Sequence, residues 1–348
     1  MRQLHSGAWV ISGLLVAGGC AGAGSEAKPP ISPTSAEFAD RYQLVDSTVF
    51  QESDTAPIAR LAGVTLTRNG SILIADLSEG NAKLYSHDGH LLHILGRKGD
   101  GPGEFRQPLY TAVDAHGQMY VVEPSPAKVV VFDGDGQYVR EFRIDSSTTV
   151  QSFALLAEDR FLFSGKVAAD SAVFITDSLG TIQRMYLGRD RLRATDDPRN
   201  QAWESARRSM VLPLGDTALV VSSVGDSLWF VDLRTGAISS TPILVPGRIR
   251  PLAPHEPYHD MAGLMRWTSS FHAAPSVRGS AGLIVIPYVQ GILTHHDPTL
   301  LLSRYKGTWE VLEHAPAVMA VSDSTLIVLL GPDGRATTAV GYYRRRAS

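Results

Sequence analysis

Tyr110-Thr-Ala-Val-Asp-Ala-His-Gly117, Gln118-Met-Tyr-Val-Val-Glu123 and Lys128-Val-Val-Val-Phe-Asp133-Gly-Asp-Gly136 follow one another directly after Phe105-Arg106-Gln107-Pro108, and this stretch decides the fold. Each piece is an apolar run of strand length closed by a polar or glycine turn, the pattern of antiparallel strands joined by tight hairpins. Related units recur along the chain about every 40 to 65 residues, which is the period of a β-propeller blade.

The unit from Val64 to Leu95 gives a full blade. Val64–Leu66 is the inner strand, Asn69-Gly70 a turn, Ser71–Ala75 the second strand, Ala82–Tyr85 the third and His90–Leu95 the outer one. Later units keep an apolar second strand behind a polar turn at Phe161–Phe163, Ala218–Val221, Ile284–Tyr288 and Leu326–Leu330. Six second strands predict an all-β, six-bladed propeller of four-stranded antiparallel blades. After the sixth only one further strand, Ala339–Tyr343, is available, while Tyr42–Phe50 is left over at the start. The N-terminal strand is therefore expected to complete the last blade and close the ring without a free sheet edge.

Composition agrees and excludes some functions. A chain of 348 residues, 44% of them hydrophobic, has ample material for a core. With 32 basic against 35 acidic side chains and a formal charge of −3, electrostatics gives no case for a nucleic-acid partner. Cys20 is the single cysteine, so no internal disulfide forms.

The start of the chain reads as a targeting segment. Arg2 is basic, Ala8–Val16 is apolar but too short to span a bilayer, and small residues lead into Cys20. Leu15-Val16-Ala17-Gly18-Gly19-Cys20 resembles the lipobox of bacterial lipoproteins, whose cysteine thiol receives the lipid; the family prefers Leu where Ala17 stands. The alternative is cleavage near Ala21–Ala23 with Cys20 discarded. Both readings export the protein. The lipoprotein reading gives a signal peptide over 1–19, a flexible tether over 20–40 and the propeller over 41–348, held at a membrane, the outer membrane in particular, through its N-terminal lipid, as a periplasmic or cell-surface protein.

Gly99-Asp-Gly-Pro-Gly-Glu-Phe105, Pro108, Gly117-Gln-Met-Tyr-Val-Val-Glu123 and Val131-Phe-Asp-Gly-Asp-Gly136 together are similar to the NHL repeat, and the chain resembles the six-bladed propeller lipoproteins that carry it. Ile74-Ala75-Asp76 matches the repeat's Val-Ala-Asp, and Val122-Glu123 departs from it. That group includes binding modules and enzymes, so the resemblance implies a fold and no single activity.

Candidate site residues follow from where propellers carry function, at one mouth of the channel. Asp76 and Glu123 end second strands; they read either as paired carboxylates for a ligand or as acceptors of backbone N–H groups. The connection Gly188–Ser205 and the residues after it hold several arginines with Trp203 and Arg207, suited to a carboxylate or sugar, or else form a self-neutralising loop with Asp190, Asp196 and Asp197. Pro246–Ser270 contains His255-Glu256-Pro257-Tyr258-His259, a literal zinc-protease spacing whose helix Pro257 forbids. His255, His259, His295 and Asp297, with His296 beside them, could instead ligate a divalent metal between neighbouring loops. The expected function is an exported binding module for a peptide, glycan or partner protein. The alternative is a metal-dependent lactonase, esterase or lyase whose ligands are scattered along the chain.

Overall fold

A computed structural model of the chain describes residues 29–145, 147–167, 173–187, 208–250, 261–280, 282–290, 300–322, 324–330 and 338–347. Six antiparallel sheets follow one another around a ring. Blade 1 is Leu61–Leu66, Ile72–Asp76, Asn81–Tyr85 and Leu91–Leu95; blade 2 is Tyr110–Val113, Met119–Pro124, Ala127–Phe132 and Tyr138–Arg143. Blade 3 is Thr149–Leu155, Phe161–Lys166, Val173–Thr176 and Ile182–Met185; blade 4 is Ser209–Leu214, Thr217–Ser222, Ser227–Asp232 and Ile238–Pro242. Blade 5 builds on Leu283–Gln290, Leu300–Tyr305 and Thr308–Glu313, and its inner edge is split into His272–Ala273 and Arg278–Gly279. Pro275 lies in the gap, where a residue without N–H cannot sustain a ladder.

Blade 6 is Val318–Val321, Thr325–Leu330 and Ala339–Arg345, completed by Tyr42–Val49 from the N-terminus in the order expected from the sequence. The seam is tied to blade 1 as well. The hydroxyl of Thr48 bonds the His87 carbonyl, Gln51 N–H donates to the Gly89 carbonyl at 2.8 Å, and a Cβ at Gly89 (φ +84°) would lie 2.1 Å from the Val49 carbonyl oxygen. Only glycine fits that turn.

The second strands read as unbroken apolar runs because both of their faces are buried. In Ile72–Asp76, Ile72 and Ile74 pack towards blade 6 with Ile327 and Val340, while Leu73 packs towards blade 2 with Val121 and Val130. Side chains alternate across a strand, so every blade contributes to two cores, and six such clusters fill the six joins of the ring. Outer strands face solvent on alternate residues, as Leu92 and Ile94 show.

The segment before Tyr42 corrects the expected tether. Ile31 bridges Ile243 beside the outer strand of blade 4, and Thr34–Glu37 pairs in parallel with Glu310–Glu313, adding a strand to blade 5. The chain then turns through Phe38–Arg41 into blade 6. Residues 31–40 thus belong to the propeller, as a strap across its outer edge. Glu310, buried in blade 5, binds Arg41 of the strap at 3.0 Å and Arg345 of blade 6, locking three segments distant in sequence. Among the described residues no helix is long and apolar enough to cross a membrane.

Candidate functional site

The inner strands enclose a cavity of about 280 Å³ lined by residues of blades 1 to 5. Strand pairing sets the depth of its walls. Val64, Thr111, Phe153, Leu212 and Arg278 each pair with a residue in the middle of the second strand of their blades and line this cavity. Tyr110, Gln151 and Arg208 lie nearer the end where chains enter the inner strands.

Most polar groups in the wall also hold neighbouring blades in register. Tyr110 donates its hydroxyl to the Gln151 carbonyl at 2.7 Å, and Gln151 Oε1 accepts from Ser209 N–H at 3.0 Å. Ser152 Oγ accepts from Val211 N–H at 3.2 Å, and Thr65 and Thr111 bring their hydroxyls to 2.8 Å. Burial pushes the Tyr110 phenol up to about 12, so it stays a neutral donor.

Arg278 differs from these neighbours. Its Nε is buried without a hydrogen-bond partner, and among the described residues its guanidinium forms no ion pair. Enclosure by the surrounding blades pulls its pKa down to about 10, which leaves it charged at neutral pH. Arg208, exposed at the rim of the same cavity, donates its N–H to Ser223 Oγ, and its guanidinium forms no ion pair among the described residues. No aspartate or glutamate lines the cavity among the described residues.

Of the sequence candidates, Asp76 and Glu123 are described, and each is enclosed. Asp76 accepts from the N–H groups of Ala59 (2.8 Å) and Arg60 (3.0 Å) at the entrance to blade 1 and pairs with the fully buried Lys83 at 3.0 Å. Burial alone would raise its carboxyl; the bonds from Lys83, Ala59 and Glu79 outweigh that and hold it below the usual carboxylate range. Glu123 repeats the arrangement at the entrance to blade 2, accepting from Arg106 (3.0 Å) and Gln107 (2.9 Å) with Lys128 at 3.6 Å. Each carboxylate thus ties the chain entering its blade to that blade's own second and third strands.

Cys20, Trp203, Arg207, His255, His259, His295, His296 and Asp297 lie outside the described residues. The flanks of the second insertion are described. Arg248 bonds the Gly225 carbonyl at 2.9 Å and Asp226 at 2.6 Å and lies 4.7 Å over the Tyr288 ring, while the helix Met261–Thr268 seats Trp267 edge-on against Phe271. These contacts fasten the insertion to blades 4 and 5. A second hollow, about 920 Å³, opens between blades 3 and 4, but Arg184 on its wall is already bonded to the Leu233 and Arg234 carbonyls.

Arg278 is not among the sequence candidates, which lie in the connections between blades and at the ends of second strands. A signal was present: Ser276-Val277-Arg278-Gly279 places a lone charge in an inner strand immediately before a turn.

Comparisons with known proteins bear on the fold. A family model described as a six-bladed β-propeller, DUF5128, matches residues 50–195. A Bacteroides fragilis protein provisionally described as exported is similar over 91% of this chain and 99% of its own, with a TM-score of 0.63 at 14% identity. A member of the DUF4221 family from Bacteroides vulgatus is similar over 89% of this chain and 99% of its own, with a TM-score of 0.59 at 8% identity. A search of curated proteins finds no match.

Proposed function

We propose that the protein is an exported binding module of the NHL-like lipoprotein kind, lipidated at Cys20, whose ligand is a peptide, glycan or partner protein engaged at the mouth of the channel. The observation that carries this reading is the cavity walled by five blades, in which polar and aromatic side chains of Tyr110, Thr111, Ser152, Phe153 and two arginines converge on one space. A rigid ring with a concave, partly polar centre is the usual form of a ligand seat. The insertions that carry Trp203, Arg207, His259 and His296 would give such a module its selectivity.

Purified protein screened by thermal shift against peptide and glycan libraries tests the reading. Binding to the native state raises Tm in proportion to ligand concentration over Kd. The expected result is a saturable rise with one ligand class and no turnover of that ligand. Metal-dependent cleavage of lactones, esters or cyclic peptides, lost on chelation, would overturn it in favour of an enzyme.

A further inference from the structure

We infer that the central channel is an oxyanion site: Arg278 grips a carboxylate or phosphoryl group of a small ligand at mid-depth, and Arg208 at the rim draws it in. The inference rests on the binding-module reading and names the chemistry that such a module would recognise.

The argument starts from cost. A guanidinium taken out of bulk water without a partner is expensive, and two other largely enclosed arginines among the described residues each hold a carboxylate. Arg248 has Asp226 and Arg345 has Glu310. Arg278 has neither a carboxylate nor a hydrogen bond to its Nε among the described residues, although one residue along the ring the blades supply carbonyls and hydroxyls freely to each other. The charge is retained on a residue that lines a cavity. Planar, forked N–H groups match the two oxygens of a carboxylate or phosphate better than any other ligand chemistry.

The rest of the wall suits the same guest. Ser152 Oγ accepts from Val211 N–H, which leaves its own proton to give, and the neutral Tyr110 phenol and the Phe153 ring supply a face for a short carbon skeleton. A second positive group at the rim, Arg208, and no carboxylate among the described lining residues make the space attractive to anions and repellent to nothing but cations. At about 280 Å³ the space lies near the lower end for ligand pockets, enough for a small organic acid or the acidic end of a longer ligand.

The test is calorimetry and thermal shift on the purified protein in a zwitterionic, low-chloride buffer, with succinate, inorganic phosphate and uncharged succinamide as probes. Succinate or phosphate should bind saturably and succinamide should not; which of the two binds tighter separates a carboxylate site from a phosphoryl site. Arg278→Met should weaken that binding roughly 10- to 100-fold, the range expected for a charge-assisted bond, and Arg278→Lys should recover only part of it. In ligand-free protein Arg278→Met should leave Tm unchanged or raise it, since it removes an uncompensated charge. A fall in Tm together with no response of the parent protein to either anion would make Arg278 structural and overturn the site. If a peptide or glycan binds equally well to the parent and to Arg278→Met, the oxyanion site fails while the binding-module reading stands; turnover of a bound ligand would fail the module instead.

Discussion

Blades 1 and 2 enter the ring through a buried ion pair, and blade 4 enters it through a hydroxyl. At the first two joins a carboxylate at the end of the second strand collects two backbone N–H groups from the incoming chain and is neutralised by a buried lysine of the third strand. At the fourth, Ser223 Oγ accepts the single N–H of Arg208 at 2.8 Å. The reason lies in the neighbouring strand. Ser222 pairs with Ser209 as Asp76 pairs with Leu61, and Val220, two residues before Ser222, faces Trp229 where Ile74, two before Asp76, faces Lys83. Without a lysine an acid there would be an unpaired buried charge, so a neutral acceptor takes its place. The connections into blades 1 and 2 are short, and the chain around blades 4 and 5 carries the long insertions and Arg278.

The ionic joins should therefore be the most sensitive. Lys83→Met strands the Asp76 carboxylate and should cost about 3–5 kcal/mol, with Lys128→Met acting in the same direction at blade 2. Urea denaturation measures it, and adding Asp76→Asn to Lys83→Met should return part of the loss. A cost below about 1 kcal/mol would mean that the pair contributes little and that the comparison has no energetic content. Acid reports the same join from the other side. Because the folded-state carboxyl of Asp76 is depressed, its contribution is present above the unfolded value of about 3.9 and fades as pH falls through the folded one. Stability should decline below about pH 4, and Asp76→Asn should flatten that decline.

This division also explains what the sequence disclosed. Ile72–Asp76 and Met119–Pro124 are buried on both faces, so their apolar runs were plain to read, and counting such runs gave six blades and the closing strand Tyr42–Val49. The strap escaped notice because Thr34–Glu37 is a short, mostly exposed edge strand whose pairing with Thr308–Glu313 is non-local and leaves no periodic trace. Asp76 and Glu123 were visible as chemistry, yet sequence alone left two roles open, since the lysine that neutralises each is identified only by register. Arg278 stands out in the sequence only as a lone charge before a turn, for a related reason: whether a charge in an inner strand is paired depends on residues from other blades.

A second way to sharpen the contrast is at the seam. Glu310→Gln removes the charge that Arg41 and Arg345 share, and hydrogen bonds to charged groups are worth roughly 1.5–3 kcal/mol. The loss should be smaller than at Lys83 because Arg41 is half exposed, and it should appear first as faster hydrogen exchange in Tyr42–Val49. Equal exchange in both proteins would show that the strand is held by its ladder alone. Below that comes the neutral join. Ser223→Ala deprives Arg208 N–H of its acceptor, for about 1 kcal/mol. Ser223→Asp should cost more than Ser223→Ala, since Trp229 offers no charge; the reverse order would refute the account of why this blade differs.

The smallest effect belongs to the strap, where the pair is wholly exposed and only local order is at stake. His314, beyond the outer strand of blade 5, meets Glu37 at 3.0 Å, the last residue of Thr34–Glu37. The hydrogen bond to Glu37 and that residue's charge raise the imidazole pKa. A raised folded-state value means that the pair contributes fully below the unfolded pKa of about 6.5 and is lost as pH rises through the folded one. Amide exchange in Thr34–Glu37, compared at each pH with His314→Ala to remove the intrinsic pH dependence, should be slower in the parent near pH 5.5 and equal to the variant near pH 9. The amides of Ile72–Asp76, held by a lysine and not by a histidine, should be indifferent to the substitution at both pH values. A parent and variant that match at pH 5.5 would leave the strap held by Glu310–Glu313 backbone pairing and the Arg41–Glu310 pair.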